Sequence, residues 1–333
     1  MNTGISNLTT YIPTADAFLS HWAQCLLAYA PKILTIRLPD NTAVTRAQFS
    51  IQRDALQAQQ IAVQARLTDQ LIARGGIEIQ KAALLVKFNL FTSLLDGYFQ
   101  NTDFYAARPL APSQSFGQLT FSSPMFDMMS LWEKINAGPA PSSVTLPLVL
   151  ADGSTQGTFA SLVSALQFAY TNERDKAQNV TLARGARDRI QNRIYDIMKA
   201  YRESVPGIMA NFPDLVETLP RLTPLPGHTP AAVNASAILE GTNQSKVVYD
   251  ASPEAMLESY QLRGTVGDEY SDEDAVVIAT NAPGAPREFI TPFGLNQPGA
   301  KVALKVYVIL TSGNEAGSAA MFVERPATVQ IAA

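Results

Sequence analysis

The C-terminal fold is decided by residues 290–326, which read ITPFGLNQPGAKVALKVYVILTSGNEAGSAAMFVERP. In the middle of this stretch every second residue is large and apolar: Val302, Leu304, Val306, Val308 and Leu310. Successive side chains of a β-strand point to opposite faces, so this spacing predicts a strand with those five residues in a core. Tyr307 and Ile309 fall on the other face, which predicts that this face is partly covered as well.

The period of two extends upstream to about residue 231, with turn residues between short apolar runs. The predicted strands are 233–239, 245–250, 256–266, 276–281, 286–291, 300–310 and 317–325. Seven short strands separated by turn signals are typical of a sandwich of two sheets.

This region resembles a fibronectin type III domain. The segment GLNQPGAKVALKVYVILTSGNEAGSAA is similar to the end of such a domain at Leu295, Pro298, Gly299, Val306, Gly317 and Ser318. Upstream, VVYDASPEAMLESYQLRGTV resembles the second and third strands, with Tyr249 where the family often has tryptophan and Tyr260 at its usual tyrosine. The resemblance implies a fold and no activity, because such sandwiches are mostly spacers and binding modules.

The whole layout also resembles bacterial uncharacterised proteins that have a helical N-terminal region and one such sandwich. The segment that carries this similarity is LPRLTPLPGHTP, at 219–230. It implies no known activity.

The first two thirds of the chain have helical periodicity. We expect a first helix over 14–37, which stops or kinks near Tyr29 because Pro31 follows, and we expect Asp40 or Asn41 to cap the next helix. That next helix starts near Thr42 and has a narrow apolar seam: Phe49, Leu56, Val63, Leu67 and Leu71.

Two glycines, Gly75 and Gly76, either end this helix or only weaken it. If the run continues to about residue 100, it spans on the order of 80 Å at about 1.5 Å per residue. Further helices are predicted at 125–136 and 156–204.

Prolines at 206, 213, 220, 224, 226 and 230 predict an extended connector, since proline stops helix propagation. The predicted domains are therefore a helical hairpin or bundle at 1–204, a proline-rich connector at 205–230 and the sandwich at 231–333. The fold class is a multidomain, all-α plus all-β protein: a long antiparallel helical hairpin or bundle, then a seven-stranded fibronectin type III-like β-sandwich.

Composition excludes several classes of protein. The chain of 333 residues is 47% apolar and 16% charged, which excludes bulk disorder. Its net charge of −4 provides no general attraction to nucleic acid, and its one cysteine, Cys25, excludes an intrachain disulfide framework.

Neither a membrane span nor a Sec-type signal peptide is expected. The most apolar window, 81–99, carries Lys81, Lys87, Asn89 and Asp96 and favours a buried helix. The N-terminal residues lack a basic segment followed by an apolar one. The compartment stays open between the cytoplasm and export by a non-Sec route.

Catalytic and metal-binding residues are sparse. His21 and Cys25 lie four apart on the first helix, so both could face one metal, but a site would need two further ligands. His228 lies in the proline-rich connector, where a general base would have little support. We expect no enzyme activity, no catalytic or metal-ligating residue and no cofactor.

Two charged runs have alternative interpretations. Within 267–274, GDEYSDED, three side chains offer oxygen ligands for Ca²⁺ (Asp268, Asp272 and Asp274), although a solvated turn is the simpler interpretation. The run RGARDRIQNR at 184–193 offers a phosphate-binding patch (Arg184, Arg187, Arg189 and Arg193), but Asp188 interrupts it and favours a helix face that pairs with a neighbouring helix or subunit.

Three functions remain. The preferred one is a structural or interaction protein that self-associates through long helices whose surfaces, as in QAQQIAVQAR, are rich in alanine and glutamine, with the sandwich as spacer or contact module. The expected partners are proteins, as a homo-oligomer, and not nucleic acid or membrane. The second is a cell-surface or carbohydrate-binding protein, which needs a concave aromatic cluster drawn from Tyr249, Tyr260, Tyr270, Phe289, Phe293, Tyr307 and Phe322. The third is a membrane-interacting or pore-forming protein that inserts residues 81–99.

Overall fold

A computed structural model describes residues 5, 10–139, 141–223 and 227–326. Long helices are followed by a β-rich C-terminal region, as predicted. In the described ranges the helices are α1 (Tyr11–Tyr29), α2 (Arg46–Tyr98), α3 (Asp103–Ala106), α4 (Gln118–Ala137), α5 (Gln156–Ile208) and α6 (Pro213–Glu217). The strands are β1 (Ile36–Arg37), β2 (Ala43–Val44), β3 (Ala235–Glu240), β4 (Gln244–Tyr249), β5 (Leu257–Val266), β6 (Val276–Asn281), β7 (Glu288–Thr291), β8 (Lys301–Leu310), β9 (Glu315–Gly317) and β10 (Met321–Glu324).

The first helix is shorter than predicted. It ends at Tyr29, because Pro31 has no N–H to continue the helix and restricts the residue before it. The predicted last turns, up to residue 37, instead contain β1, which pairs antiparallel with β2. The cap of α2 is also not Asp40 or Asn41: the N–H of Gln48 donates to Thr45 Oγ1 (3.3 Å), and the N–H of Thr45 donates to Gln48 Oε1 (2.8 Å). This reciprocal pair is a capping box.

The turn between β1 and β2 holds a carboxylate with an unusual pKa. The backbone N–H of Thr42 donates to Asp40 Oδ1 (2.9 Å), and Arg193 pairs with the other oxygen (2.8 Å). These contacts, the Thr42 hydrogen bonds first, lower the pKa of Asp40 to about 2.

We expect an NMR titration to place the pKa of the Asp40 carboxyl near 2 in the native protein. Because the pKa is lowered in the folded state, the stabilisation is present above about pH 4 and is lost as the pH falls from about 4 to 2. In Arg193→Ala the pKa should rise but stay below its ordinary value, since the Thr42 hydrogen bonds remain. The loss of the signal in Asp40→Asn assigns it, and an ordinary pKa in the native chain would contradict the prediction.

The second helix resolves the question of the paired glycines. It is continuous over 53 residues and passes through Gly75 and Gly76 without a break. Two other helices are longer than predicted. Helix α4 begins at residue 118 and includes Pro124, and α5 continues past residue 204 through Pro206. In both cases apolar residues next to the proline are buried, namely Met125 and Val205, so packing outweighs the local cost of proline.

The predicted connector is partly helical. Residues 205–208 belong to α5, and α6 starts with Pro213, whose missing N–H is tolerated in a first turn. Leu215 and Leu219 pack against the core that is formed by α1, the N-terminal part of α2 and the C-terminal part of α5. This part of the chain is therefore packed and is not a free extended linker.

The chain divides into two compact units at positions other than the predicted domain boundaries. The first unit comprises Met1–Thr68 and Asn179–Ala333, and the second comprises Asp69–Gln178. Each has its own tryptophan in a core: Trp22 in the first unit and Trp132 in the second. The division into domains 1–204, 205–230 and 231–333 remains a prediction.

The β region forms two sheets that share one core. One sheet has the order β3-β4-β7, and the other has the order β10-β8-β5-β6 with β9 also paired to β8. Among the described residues this region has eight strands where seven were predicted, because β9 is an additional short strand that overlaps the predicted strand 317–325 only at Gly317. The alternation in β8 is confirmed: its five predicted core residues are buried, and Tyr307 and Ile309 on the opposite face are buried too.

Candidate interaction site

The second unit exposes an apolar face on α2. One side of this helix enters the core through Leu84, Phe88, Phe91 and Leu95. Another side carries three aliphatic residues that are mostly exposed: Ile72 (56%), Ile79 (69%) and Val86 (56%). They are seven residues apart, which is nearly two helical turns, and so they lie on one face.

Helix α5 adds an aromatic side chain to the same unit. Phe168 is 73% exposed and borders a groove of about 400 Å³ between α2 and α5. Five of the other lining residues are small or aliphatic (Ile72, Ala73, Gly76, Ala165 and Ala169), and four are polar or charged (Asp69, Gln80, Asn172 and Lys176). The arrangement places an exposed aromatic ring beside a groove that has small residues on both α2 and α5 and polar or charged residues among the rest of its lining.

The two glycines of α2 have no role in packing within the described parts of the chain. A β-carbon on Gly75 or Gly76 would meet no atom within 4 Å apart from the helix's own nearby backbone. Glycine inside a helix costs about 0.5–1 kcal/mol relative to alanine, so the chain carries this cost without an internal contact that needs it. Glycine is expected where another backbone approaches closely.

His21 and Cys25, whose spacing could fit one metal ion, belong to a buried polar cluster. His21 Nε2 donates to the carbonyl of Leu215 (2.7 Å), and its Nδ1 is 2.8 Å from the Tyr201 hydroxyl. The thiol of Cys25 is 3.6 Å from the same Nδ1. Both ring nitrogens of His21 are therefore occupied by partners within the core, and burial raises the pKa of the Cys25 thiol, which disfavours the reactive thiolate.

The connector histidine is held at the surface. His228 Nε2 lies 2.7 Å from Glu254 Oε2, and the histidine side chain is mostly exposed. Within the described ranges, no group of three or more His, Cys, Asp and Glu side chains is arranged to hold a metal ion.

The acidic run at 267–274 and the arginine-rich run at 184–193 contact each other through ion pairs. Asp274, at the end of the acidic run, is buried and pairs with Arg184 and Arg187 of α5. The Arg187 Nη1 atom also donates to the carbonyl of Glu273 (2.7 Å). Arg184 and Arg187 therefore pair with the β region and not with a neighbouring helix as predicted, and the interpretation of Asp274 as part of a solvated turn is wrong.

The other members of these runs lie apart. Asp272 accepts a hydrogen bond from the Tyr307 hydroxyl and lies 3.7 Å from Lys305, whereas Asp268 is exposed. Arg193 pairs with Asp40, and Arg189 is exposed. The structure therefore brings together neither the three proposed Ca²⁺ ligands nor the four arginines of the proposed phosphate patch.

The aromatic residues of the β region are largely used in its core. Tyr249 stacks on Phe289 (5.2 Å between ring centroids) and lies 4.8 Å from Tyr260. Among the seven aromatic candidates for a carbohydrate surface, Phe322 is the one that is mostly exposed in the described structure. An exposed concave cluster of these rings is therefore not formed.

The apolar window 81–99 lies in α2. Its large apolar residues Leu84, Phe88, Phe91 and Leu95 are fully buried in the core of the second unit. In the ranges that the structure describes, no helix has both the length and the apolarity needed to cross a bilayer.

Comparison with known proteins gives only similarities of low identity that cover about a third of the chain. No protein-family model matches the chain, and no curated protein matches it. An Fn3-like protein from Clostridium thermocellum is 22% identical, with 30% of this chain and 96% of that chain covered and a TM-score of 0.24. A fibronectin III domain of human contactin 1 is 16% identical over 32% of this chain and 85% of that chain, with a TM-score of 0.25. The pectate lyase PelI from Erwinia chrysanthemi is 13% identical over 28% of each chain, with a TM-score of 0.24.

These TM-scores are all below 0.5, so the matches do not establish a family for the chain. The β region has two antiparallel sheets, in which the first, second and fifth strands form one sheet and the others form the second, and fibronectin type III domains have this two-sheet architecture too. The resemblance of the whole layout to bacterial helical–sandwich proteins remains a prediction.

The exposed face of α2 was missed by the sequence analysis. The predicted seam is buried at Phe49, Leu56 and Val63 but only half-buried at Leu67 and Leu71. The signal for the second face was present in the spacing of Ile72, Ile79 and Val86, but periodicity alone does not say which of two apolar faces enters the core.

Proposed function

We propose that this chain is a non-enzymatic structural or interaction protein that self-associates through its long helices. The fibronectin type III-like domain acts as a spacer or second contact module. The observation that carries the proposal is the exposed apolar face of the second unit, formed by Ile72, Ile79, Val86 and Phe168 beside the groove between α2 and α5.

The occupant that best fits this face is a second copy of the same chain. A two-fold axis brings identical patches together, so each patch must supply both halves of the contact. Here the exposed ring of Phe168 can enter a partner's groove, and the groove at Ala73, Gly76 and Ala169, on the same side of the unit, can receive the partner's ring. Two copies related by such an axis can each insert a ring into the other's groove, and Gly76 would permit the helices to approach closely.

The chemistry of the interior supports a role without catalysis. The Cys25 thiol is buried with a raised pKa, and both ring nitrogens of His21 contact core groups. Neither side chain is placed to act on a substrate in solvent.

Size-exclusion chromatography with light scattering tests the proposal. We expect the native protein to form a dimer or larger oligomer, and we expect Ile79→Glu to shift it to the monomer, because a charge would have to enter an apolar contact. The matched control is Ile238→Glu on β3, where an isoleucine of similar exposure (61% against 69%) lies outside the face. A native protein that is monomeric at high concentration, or equal effects of the two substitutions, would overturn the proposal.

Gly76→Ala separates association from folding. We expect Gly76→Ala to stabilise the unassociated protein by about 0.5–1 kcal/mol, because alanine favours the helix and its methyl group meets no atom of the described structure within 4 Å apart from the helix's own nearby backbone. We also expect it to weaken self-association, because the methyl group would obstruct a partner that approaches closely. Denaturation of dilute protein measures the first effect, and light scattering over a concentration series measures the second. Unchanged association in Gly76→Ala would exclude the close helix contact at this residue.

A further inference from the structure

The first unit contains a cleft between α2 and the outward face of the five-stranded sheet. Its volume is about 980 Å³, with residues 57–64 of α2 on one side and β5 and β6 on the other. Sites for small ligands typically measure about 300–1,000 Å³ and combine apolar walls with a few polar groups. This cleft has both: Ile61 and Val277 are apolar, while Gln57, Gln60 and Gln64 are amides.

Two hydrogen-bond acceptors in the cleft wall are buried without a partner in the described structure. They are Gln64 Oε1 on α2 and Glu258 Oε2 on β5. The amide of Gln64 is oriented by its own nitrogen, which donates to the carbonyl of Asp274. A flipped amide would place two oxygens against each other, so the free oxygen is fixed as the acceptor. Buried acceptors without donors are unfavourable, and their lone pairs favour a ligand that supplies N–H groups.

The charge of the cleft favours a cation. Arg263 is the basic residue in its lining, but it pairs with Glu315 (2.6 and 2.9 Å), is bonded to Gln261 and lies over the ring of Tyr307. The charges of Arg263 and Glu315 therefore cancel each other. Glu258 is left as the carboxylate of the lining whose charge has no counterion among the lining residues.

We propose that this cleft binds a small organic cation with several N–H donors, a guanidinium or an ammonium group, with Glu258 as its counterion and Gln64 as a second acceptor. The site goes beyond the proposed self-association and lies in the other unit, so either proposal can fail without the other.

Isothermal titration calorimetry with the full chain tests the site. The probes are N-acetyl-arginine methylamide for a guanidinium, spermidine for ammonium groups and acetamide as a neutral N–H donor. We expect saturable binding of at least one of the two cations, weakened by added salt, and no saturable binding of acetamide. The probe that binds shows whether the site prefers a guanidinium or an ammonium group. The absence of binding by both cations would overturn the proposal.

Variants locate the binding. Glu258→Gln keeps the shape of the side chain and should weaken binding at least about tenfold, because a charged hydrogen bond is lost. The control Glu240→Gln removes an acid from the surface of β3, outside the cleft, and should change binding less than about twofold. Equal losses in the two variants would show nonspecific attraction and contradict the site.

The ligand-free stability of Glu258→Gln gives a second readout. A binding carboxylate without a partner destabilises the empty protein, so this variant should melt at the same or a higher temperature than the native chain. If it melts lower, Glu258 has a structural role. In that case Gln60→Lys, which places a cation at the cleft without touching Glu258, decides the question: retained binding of the cationic probes would overturn the proposal.

Discussion

Asp274→Ala is expected to destabilise the first unit by about 3–5 kcal/mol. The substitution leaves Arg187 buried with no carboxylate opposite it, and removing one member of a buried ion pair costs more than the pair itself contributes. Arg184 loses the same partner, but it is less buried and can turn towards solvent. Urea denaturation followed by circular dichroism should show the loss, and hydrogen exchange should increase first in 180–190 and 270–278.

The acidic run supplies its own control. Asp268 belongs to the same loop but is exposed, so Asp268→Ala should change the free energy of unfolding by less than about 0.5 kcal/mol. The double substitution Arg187→Met with Asp274→Leu removes both charges and should recover most of the stability, because apolar residues of similar size replace a buried pair at little cost. Equal stability of Asp274→Ala and Asp268→Ala would show that the pair does not hold the β region to α5.

Trp132→Ala is expected to destabilise the second unit by about 3–5 kcal/mol. Trp132 is fully buried, with ring centroids 5.2 Å from Phe91 and 6.2 Å from Phe159, and its Nε1 donates to the carbonyl of Leu148 (3.2 Å). Truncation leaves a large cavity and a carbonyl without its donor, and both effects act in the same direction. Hydrogen exchange in 84–95 and 121–135 should increase strongly.

The fluorescence of the variant separates the two units. The chain has two tryptophans, so Trp22 alone reports on the first unit after the substitution. The matched control is Phe168→Ala, an aromatic truncation at an exposed site of the same unit, which should change the stability of dilute protein by less than about 0.5 kcal/mol. A similar loss in both variants would mean that the core around Trp132 is not the centre of this unit.

Local patterns predicted the secondary structure where neighbouring residues decide it. Alternation identified β8 and its core residues, and Pro31 placed the end of α1 near Tyr29. The predicted end of α5 before Pro206 was wrong. The helix continues through Pro206, because the burial of Val205 and Met209 beside it outweighs the local cost of proline.

The position of the exposed apolar face on α2 was not predicted. The alanine- and glutamine-rich surface QAQQIAVQAR led only to the hypothesis of self-association, and the predicted seam lay on the side of α2 that is buried at Phe49, Leu56 and Val63. Ile72, Ile79 and Val86 have the same spacing as a core seam, so their exposure depends on which side of α2 the other helices cover.

The sequence by itself determined the long helices and the β-rich last third, because helix and strand periods are set by residues a few positions apart. Only the tertiary structure decided that Asp274 meets Arg184 and Arg187, about 90 positions away in the chain. It also decided that Glu258 and Gln64 line one cleft. Contacts of this kind depend on how finished elements pack, and a pattern within one element does not contain that information.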